Sequence, residues 1–260
     1  MLVFEDLGEI SLFQRSNHKP FFVLGNGSKL LINPQTKIKT FVKISPDIFP
    51  YSIKNRAITI SAGTTCSDLL EIMQKYSLSG LEFIAGIPAS LGGMLTMNFG
   101  CWGNSISQYV SNVLVVQNNG KQKWLNVDEC CFGYRKSIFQ QEKWIIAGAK
   151  INLSPSNTEN IKNNISSFVS KRLVNQPLKA KTIGCLFKNP ADIPAGQVLE
   201  ELGFKGYTYK NLKISEKHAN FLVNLGNTEF EDILTFISLI QEKAYKTKGI
   251  KLELEAQVIK

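Results

Sequence analysis

The sequence predicts an α+β fold, on three observations. Segments with strand-like alternation and segments with helical spacing mix along the chain without a repeating βαβ unit, which argues for packed α+β layers. At 260 residues and 43% hydrophobic, the chain can bury real cores, as one large domain or two to three small ones. The run Phe83–Ser105 carries no charged residue in a chain that is 20% charged, and it holds Gly86, Gly92, Gly93, Gly100 and Gly103. Glycines this dense let backbone come close to something bulky, because no Cβ intervenes and positive φ costs little. The run is either a buried loop-helix-loop or a backbone cradle for a large, partly apolar cofactor. Pro88, the Gly92-Gly93 pair and Asn98 interrupt every apolar stretch well short of the ~20 residues of a membrane span.

The elements follow in order. Residues 1–20 are weakly patterned. Phe21–Leu24 reads as a short buried strand running into Gly25-Asn26-Gly27-Ser28 and then Leu30-Leu31-Ile32. Such a turn puts backbone N–H groups in a nest that suits phosphate; a plain hairpin is the other reading. It lacks the third glycine of GxGxxG, and Lys29 is misplaced for a Walker loop. Ala57–Ala62 alternates as a strand. Thr64–Ser77 follows as a helix, with Thr65 and Asp68 as a capping box and Leu69, Leu70, Met73 and Tyr76 at helical spacing. Val113–Gln117, Asn118-Asn119-Gly120 and Lys123–Val127 read as a β-hairpin, and Trp144–Leu153 as another strand.

Ser154-Pro155-Ser156 is the expected boundary. Beyond it Ile161, Ile165, Phe168, Val169 and Leu173 share a helix face. Gln176–Pro190 reads as a loop, and Pro194 opens a short helix that Gly203 closes. Phe221–Leu225 is a strand. Thr228 with Glu231 caps a helix to about Lys246, and Ile250–Ile259 alternates as a closing strand.

Composition narrows the function. No charged-then-apolar start with a cleavage site is visible, so no secretory signal is expected. Five cysteines without CxxC spacing, beside only His18 and His218, make a metal site unexpected and reduced thiols in a cytoplasm the better fit. The formal net charge is +9, with lysines spread rather than blocked. A polyanionic small molecule such as a nucleotide diphosphate explains this better than nucleic acid, for which no recognisable module is present.

Seven motifs then line up with one family. Gly25-Asn26-Gly27-Ser28-Lys29-Leu30-Leu31 is similar to a G-x-G-S-N-L-L nest. Ala85 to Gly103, including Gly86, Ile87, Pro88, Ser90, Gly92, Gly93, Asn98 and Gly100, is similar to A-G-I-P-G-S-x-G-G…M-N-x-G-x-x-G. Gly133–Phe139 reads G-Y-R-x-S-x-F. Gln176-Pro177-Leu178 precedes Gly184–Pro190, which is similar to G-S-x-F-K-N-P. Ala195–Gly206, Ser215–Asn224 and Gly249–Ala256 supply A-G-x-L-I-E-x-x-G-x-K-G, S-E-K-H-A-x-F-x-V-N and G-I-x-L-x-x-E. Over roughly residues 21–260 the chain resembles the UDP-N-acetylenolpyruvoylglucosamine reductase family.

The resemblance implies a vanillyl-alcohol-oxidase-type FAD fold with a C-terminal α+β substrate domain. The expected parts are residues 1–45 with 250–260, residues 46–153, and residues 156–249. It implies non-covalent FAD on the nest (Gly25 to Leu30) and the cradle, with NADPH as hydride donor. The implied reaction reduces UDP-N-acetylglucosamine enolpyruvate to UDP-N-acetylmuramate for peptidoglycan synthesis in the cytoplasm. A monomer is expected, with no nucleic-acid partner and no membrane insertion.

Reduction of that double bond builds negative charge beside a carboxylate, so a fixed cation must meet it. Arg135 matches the family's arginine and can grip a carboxylate bidentately. Glu255 matches the glutamate working with it. The proton donor in the family is a serine, and here that position is Cys185. An ordinary thiol titrates near about 8.5 and so carries a proton to give at neutral pH. Cys185 acts as the acid, or a water does the work at a tolerated position. Lys188 and Asn189 are expected at the substrate, with Lys179, Lys181 or Lys217 near the diphosphate; His218 orients backbone or touches ligand.

Other departures are the missing N-T-x-x-I-G-G opening, Lys29 for asparagine, Asn220 for glycine, and a short helical stretch between Leu153 and Gln176 where larger members carry a tyrosine loop. Two other readings are an oxidase of the same fold and a catalytically inactive FAD- or nucleotide-binding homologue. The nest offers no histidine or cysteine for covalent flavin, which counts against the oxidase. Intact Arg135 and Glu255 count against the inactive homologue.

Overall fold

Asp6 starts the first helix, in a stretch whose pattern is weak in sequence. Its side chain accepts the Glu9 N–H at 2.8 Å, and Glu9 in turn accepts the Glu5 N–H. The computed structural model describes residues 1–191 and 193–260. In chain order the elements begin with β1 (Leu2–Phe4), α1 (Leu7–Ser16), β2 (Phe21–Val23), β3 (Leu30–Ile32), β4 (Thr40–Ile44), β5 (Ser52–Lys54) and β6 (Ala57–Ser61). Next come α2 (Cys66–Lys75), β7 (Leu78–Ser79), α3 (Leu91–Thr96), β8 (Gly100–Cys101), β9 (Asn104–Ser105), β10 (Val110–Val116), β11 (Gln122–Asn126), β12 (Ile145–Asn152) and β13 (Ser154–Pro155). The rest are α4 (Thr158–Asn175), β14 (Thr182–Cys185), α5 (Ala195–Glu201), β15 (Thr208–Tyr209), β16 (Leu212–Ile214), β17 (Phe221–Asn224), α6 (Phe230–Lys248) and β18 (Gln257–Ile259). The chain divides into two compact units, 1–27 with 38–169, and 28–37 with 170–260.

The first unit is built on a five-stranded antiparallel sheet, β11-β10-β12-β6-β5. Its central strands are apolar on both faces, and the period of two sorts them. Val113, Val115 and Ile146 join the core that holds Leu69 and Met73 of α2 and Leu91 and Leu95 of α3. Leu114, Val116, Ile145 and Ala147 join a smaller core with Phe4, Ile10 and Val42, supplied by α1 and the parallel sheet β1-β4-β2. Gln14 is buried and ties α1 to the large sheet, donating to the carbonyls of Val116 (3.2 Å) and Lys143 (2.9 Å). The Thr65–Asp68 capping box is formed as expected at α2.

The second unit carries the antiparallel sheet β14-β17-β16-β15 and the parallel pair β18-β3. Leu31, Phe187, Val198, Phe204, Ile214, Phe236 and Ile240 belong to its core, where Tyr209 stacks on Phe236 with ring centroids 5.1 Å apart.

Several expectations need correction. Phe21 and Phe22 are only half-buried and Val23 is exposed, because β2 is an edge strand. The hairpin reading of residues 21–32 fails, since β2 pairs with β4 and β3 pairs with β18, both in parallel. Within Gln176–Pro190 the loop contains β14. On α4 the inward face runs Ile161, Ile165, Phe168, Val169 and Arg172, the middle three half-buried. Arg172 is 2% exposed, and Leu173, one step round, is exposed. Thr228 does not cap α6. The N-cap is Glu229, and the Thr228 hydroxyl instead donates to Asn224 Oδ1 at 2.8 Å. The closing strand is shorter than expected, only Gln257–Ile259, although Leu254 bridges to Phe187.

Candidate active site

In the first unit the uncharged run does two things at once. Phe83, Ile84, Leu91, Met94 and Leu95 are buried in the core, while Gly86, Pro88 and Gly103 are exposed and Ile87, Gly92, Gly93 and Gly100 half-buried. Apolar side chains thus anchor the segment from beneath and leave glycine backbone uncovered. Ser90 caps α3 by accepting the Gly93 N–H at 3.4 Å. Gly25 lies against this cap: a Cβ there would stand 2.8 Å from Ser90 Oγ, so any larger residue would push the turn and the cap apart. Among the described residues, the N–H groups of Gly25, Asn26 and Gly27 make no hydrogen bond to protein, and Gly27 is left-handed with φ +72°. Amides left open in a turn of this kind form an anion-binding concavity.

Asn98 is buried and braces the neighbouring loop. Its amide donates to Gly133 O at 2.9 Å and its Oδ1 accepts the Ser107 N–H at 3.3 Å. Ser137, also buried, donates to Thr96 O at 2.7 Å. Between these braces Gly133 and Lys136 pair as a tight bridge, with Arg135 in the left-handed region at φ +52°. The Arg135 guanidinium stands 5.9 Å from the Phe99 ring centre and 5.2 Å from that of Tyr134, an arrangement that keeps a charged fork ordered on aromatic faces.

The second unit brings Cys185, Glu255 and Lys29 together. Cys185 ends β14 beyond a bulge, where Thr182 opposes Val223 and Cys185 opposes Phe221. Gly184 in the bulge has φ +74°, a conformation that suits glycine and re-aims the residue after it. The next residues are clamped by Asn220, which is 2% exposed. Its Oδ1 accepts the Phe187 N–H at 2.9 Å and its amide donates to Phe187 O at 2.8 Å, a side-chain imitation of a strand partner. The backbone of 186–188 also pairs with 253–255: Glu255 N–H donates to Leu186 O, and Lys188 N–H to Glu253 O. This brings the 8% exposed Glu255 beside β14. Lys29 Nζ then pairs with Glu255 Oε1 at 2.8 Å and donates to Cys185 O at 2.7 Å.

The expected substrate residues are dispersed within this unit. Asn189 Oδ1 accepts the Ala195 N–H at 3.0 Å, at the start of α5. Lys188 pairs with Glu253 at 3.5 Å, and Lys217 donates to Leu173 O at 3.1 Å. Lys179 and Lys181 are exposed; the Lys181 carbonyl accepts the Asn224 N–H. His218 meets backbone: its Nδ1 accepts the Asn220 N–H at 3.2 Å and its ring packs on Phe221. Burial lowers its pKa below 6.5, and Lys205 adds to the effect, so the ring is neutral at neutral pH. In the sequence Asn220 and the Lys29 side chain stand out only as departures from the family pattern, with no contact assigned to either side chain. The available signals were a lone cation inside a glycine and apolar turn, and an amide beside a buried aromatic.

The residues of the first unit fit a flavin dinucleotide: open amides at Gly25–Gly27 for a diphosphate, and uncovered glycine backbone at 86–103 for a large flat group.

Comparison with known proteins agrees. A family model described as FAD binding domain matches residues 5–126, and one described as UDP-N-acetylenolpyruvoylglucosamine reductase, C-terminal domain, matches residues 176–259. The UDP-N-acetylenolpyruvoylglucosamine reductase of Syntrophomonas wolfei is 33% identical over 98% of this chain and 85% of its own length. That of Thermotoga petrophila is 36% identical over 92% of this chain and 84% of its own. The crystal structure of the Thermus caldophilus enzyme superposes with a TM-score of 0.86 at 32% identity, covering 100% of this chain and 92% of that one. The chain belongs to the UDP-N-acetylenolpyruvoylglucosamine reductase family.

Proposed function

We infer that this protein reduces UDP-N-acetylglucosamine enolpyruvate to UDP-N-acetylmuramate with NADPH as donor. The observation that carries the reading is similarity to reductases of this name along 98% of the chain and 85% of the relative. FAD, when bound, supplies the hydride-transfer chemistry that links NADPH to the vinyl group of the sugar nucleotide. Gly25, Asn26, Gly27, Ser28, Lys29 and Leu30, with Gly86, Ile87, Pro88, Ser90, Gly92, Gly93, Asn98, Gly100 and Gly103, form the proposed FAD site.

Arg135 and Glu255 are the proposed stabilisers of the charge that builds beside the substrate carboxylate. A preorganised guanidinium suits that task because it needs no reorganisation as the charge appears. Cys185 is the proposed acid: its S–H proton goes to the enolate carbon, and the thiolate is reprotonated from water. Lys188, Asn189, Lys181, Lys217 and His218 remain the proposed surroundings of the sugar nucleotide. The hydrogen bonds of Asn189 and His218 support an indirect role for these two, as braces of backbone.

Residues 1–45 with 250–260 and residues 46–153 are the proposed FAD-binding parts and 156–249 the proposed substrate domain; the separate sheets β1-β4-β2 and β11-β10-β12-β6-β5 support the division near residue 46. Among the described residues no helix is long and apolar enough to cross a membrane. We read the protein as a cytoplasmic monomer without a nucleic-acid partner. The test is an assay of FAD-loaded protein with NADPH and the enolpyruvyl sugar nucleotide. NADPH consumption in step with formation of the lactyl ether is expected; consumption without that product would overturn the assignment.

A further inference from the structure

Two groups that the chain brings from far apart meet at one ammonium. Lys29 Nζ lies 2.8 Å from Glu255 Oε1 and 2.7 Å from the carbonyl oxygen of Cys185. Both backbones around it are fixed by the β3-β18 ladder: Lys29 O accepts the Gln257 N–H at 2.9 Å, and Leu30 is in register with Gln257. Gly184 completes the fit, since a Cβ on it would stand 3.2 Å from Lys29 Nζ. The carboxylate is 7% exposed at its side chain and the lysine 28%. A carboxylate so enclosed depends on its charged and hydrogen-bonding partners, and removing the Lys29 cation takes one of them away.

We propose that Lys29 is a positioning residue for the reductase reaction. It holds the Glu255 carboxylate and the Cys185 peptide in one fixed arrangement, and so sets the geometry of the second half-reaction, in which the sugar nucleotide is reduced. The proposal rests on the function inferred above. Lys29 touches the groups that act on the substrate rather than the substrate itself. Its backbone belongs to the proposed FAD site, while its side chain, turned to Glu255 and Cys185, bears on reoxidation by the sugar nucleotide more than on reduction of the flavin by NADPH.

The test compares Lys29→Met, which keeps the length and removes the charge, with Lys29→Arg, which restores a cation. Each FAD-loaded protein is reduced by NADPH without oxygen and then mixed with the enolpyruvyl sugar nucleotide. Lys29→Met is expected to slow flavin reoxidation about a hundredfold, the size of effect a small misplacement of reacting groups produces. Its kcat falls with little change in the KM for the sugar nucleotide, and reoxidation falls much more than the NADPH step, the pattern of an interaction felt mainly in the transition state. Lys29→Arg recovers most of the rate.

Apoprotein melting gives a second readout: Tm falls in Lys29→Met, and part of the loss returns in Lys29→Met with Glu255→Gln, where the carboxylate charge is removed together with the cation. Reoxidation in Lys29→Met as fast as in the wild type would overturn the proposal. So would a parallel fall of both half-reactions that Lys29→Arg does not restore. A wild-type protein that NADPH reduces but the sugar nucleotide does not reoxidise would overturn the assigned function, and this role with it.

Discussion

Cys185 concentrates the chemical question into one atom. Its carbonyl is already committed to Lys29, a bond that survives any change of side chain, so substitutions here report on the thiol rather than on the loop. Cys185→Ala is expected to slow reoxidation of the reduced enzyme by the sugar nucleotide about 10²–10⁴-fold, the usual contribution of a general acid. Cys185→Ser, which keeps a proton on the same atom position, should retain most of the rate in the same single-turnover measurement. Unchanged reoxidation in Cys185→Ala would remove the thiol from the mechanism. His218 makes a separate prediction about pH. Burial lowers its folded pKa from 6.5, so below that value the unfolded chain binds the proton first and stability is lost as pH falls. His218→Asn, whose Oδ1 can take over the Asn220 N–H, should flatten the fall of Tm below pH 6.5 that the wild type shows. An identical fall in both proteins would show that other groups cause it.

At the scale of elements, the segment after β14 is held by pairing that no helix or long strand supplies. Asn220 meets both backbone groups of Phe187, and 253–255 pair from the other side. Asn220→Ala would leave a buried N–H and a buried C=O unsatisfied at about 1–3 kcal/mol each. The expected result is a loss of at least about 2 kcal/mol in urea unfolding of the apoprotein, within the range such orphaned groups cost. Slower reoxidation, from displacement of Cys185 two residues away, should accompany it.

The elements also mark what could be read from sequence. The α2 capping box and the hairpin of β10 and β11 were legible because their signals are local. β1, α1, β15 and β16 were not. Strands of two or three residues show no periodicity, and α1 turns a glutamine inward with its isoleucine. The Thr65 and Thr228 motifs look alike in sequence, yet only Thr65 caps a helix, because Asn224 captures the Thr228 hydroxyl. Motif register singled out Cys185 and Glu255, which the structure brings to the same lysine. The Lys29 bridge was hidden, because its partners lie 156 residues away at Cys185 and beyond, at Glu255.

At the scale of the whole molecule, the +9 charge is spread over a protein that takes a polyanionic substrate. Long-range attraction of this kind acts on encounter and is screened as the Debye length shrinks from about 30 Å at low salt to about 8 Å at physiological ionic strength. The kcat/KM for the sugar nucleotide should therefore fall as salt rises, with kcat little changed; a salt-independent kcat/KM would mean that the charge is not used for capture. The account as a whole stands on one experiment in one anaerobic cuvette. NADPH is added to the FAD-loaded protein, and UDP-N-acetylglucosamine enolpyruvate follows. The account predicts that the visible flavin absorbance bleaches with NADPH and returns with the sugar nucleotide. Absorbance that bleaches and returns only on admitting oxygen would contradict it.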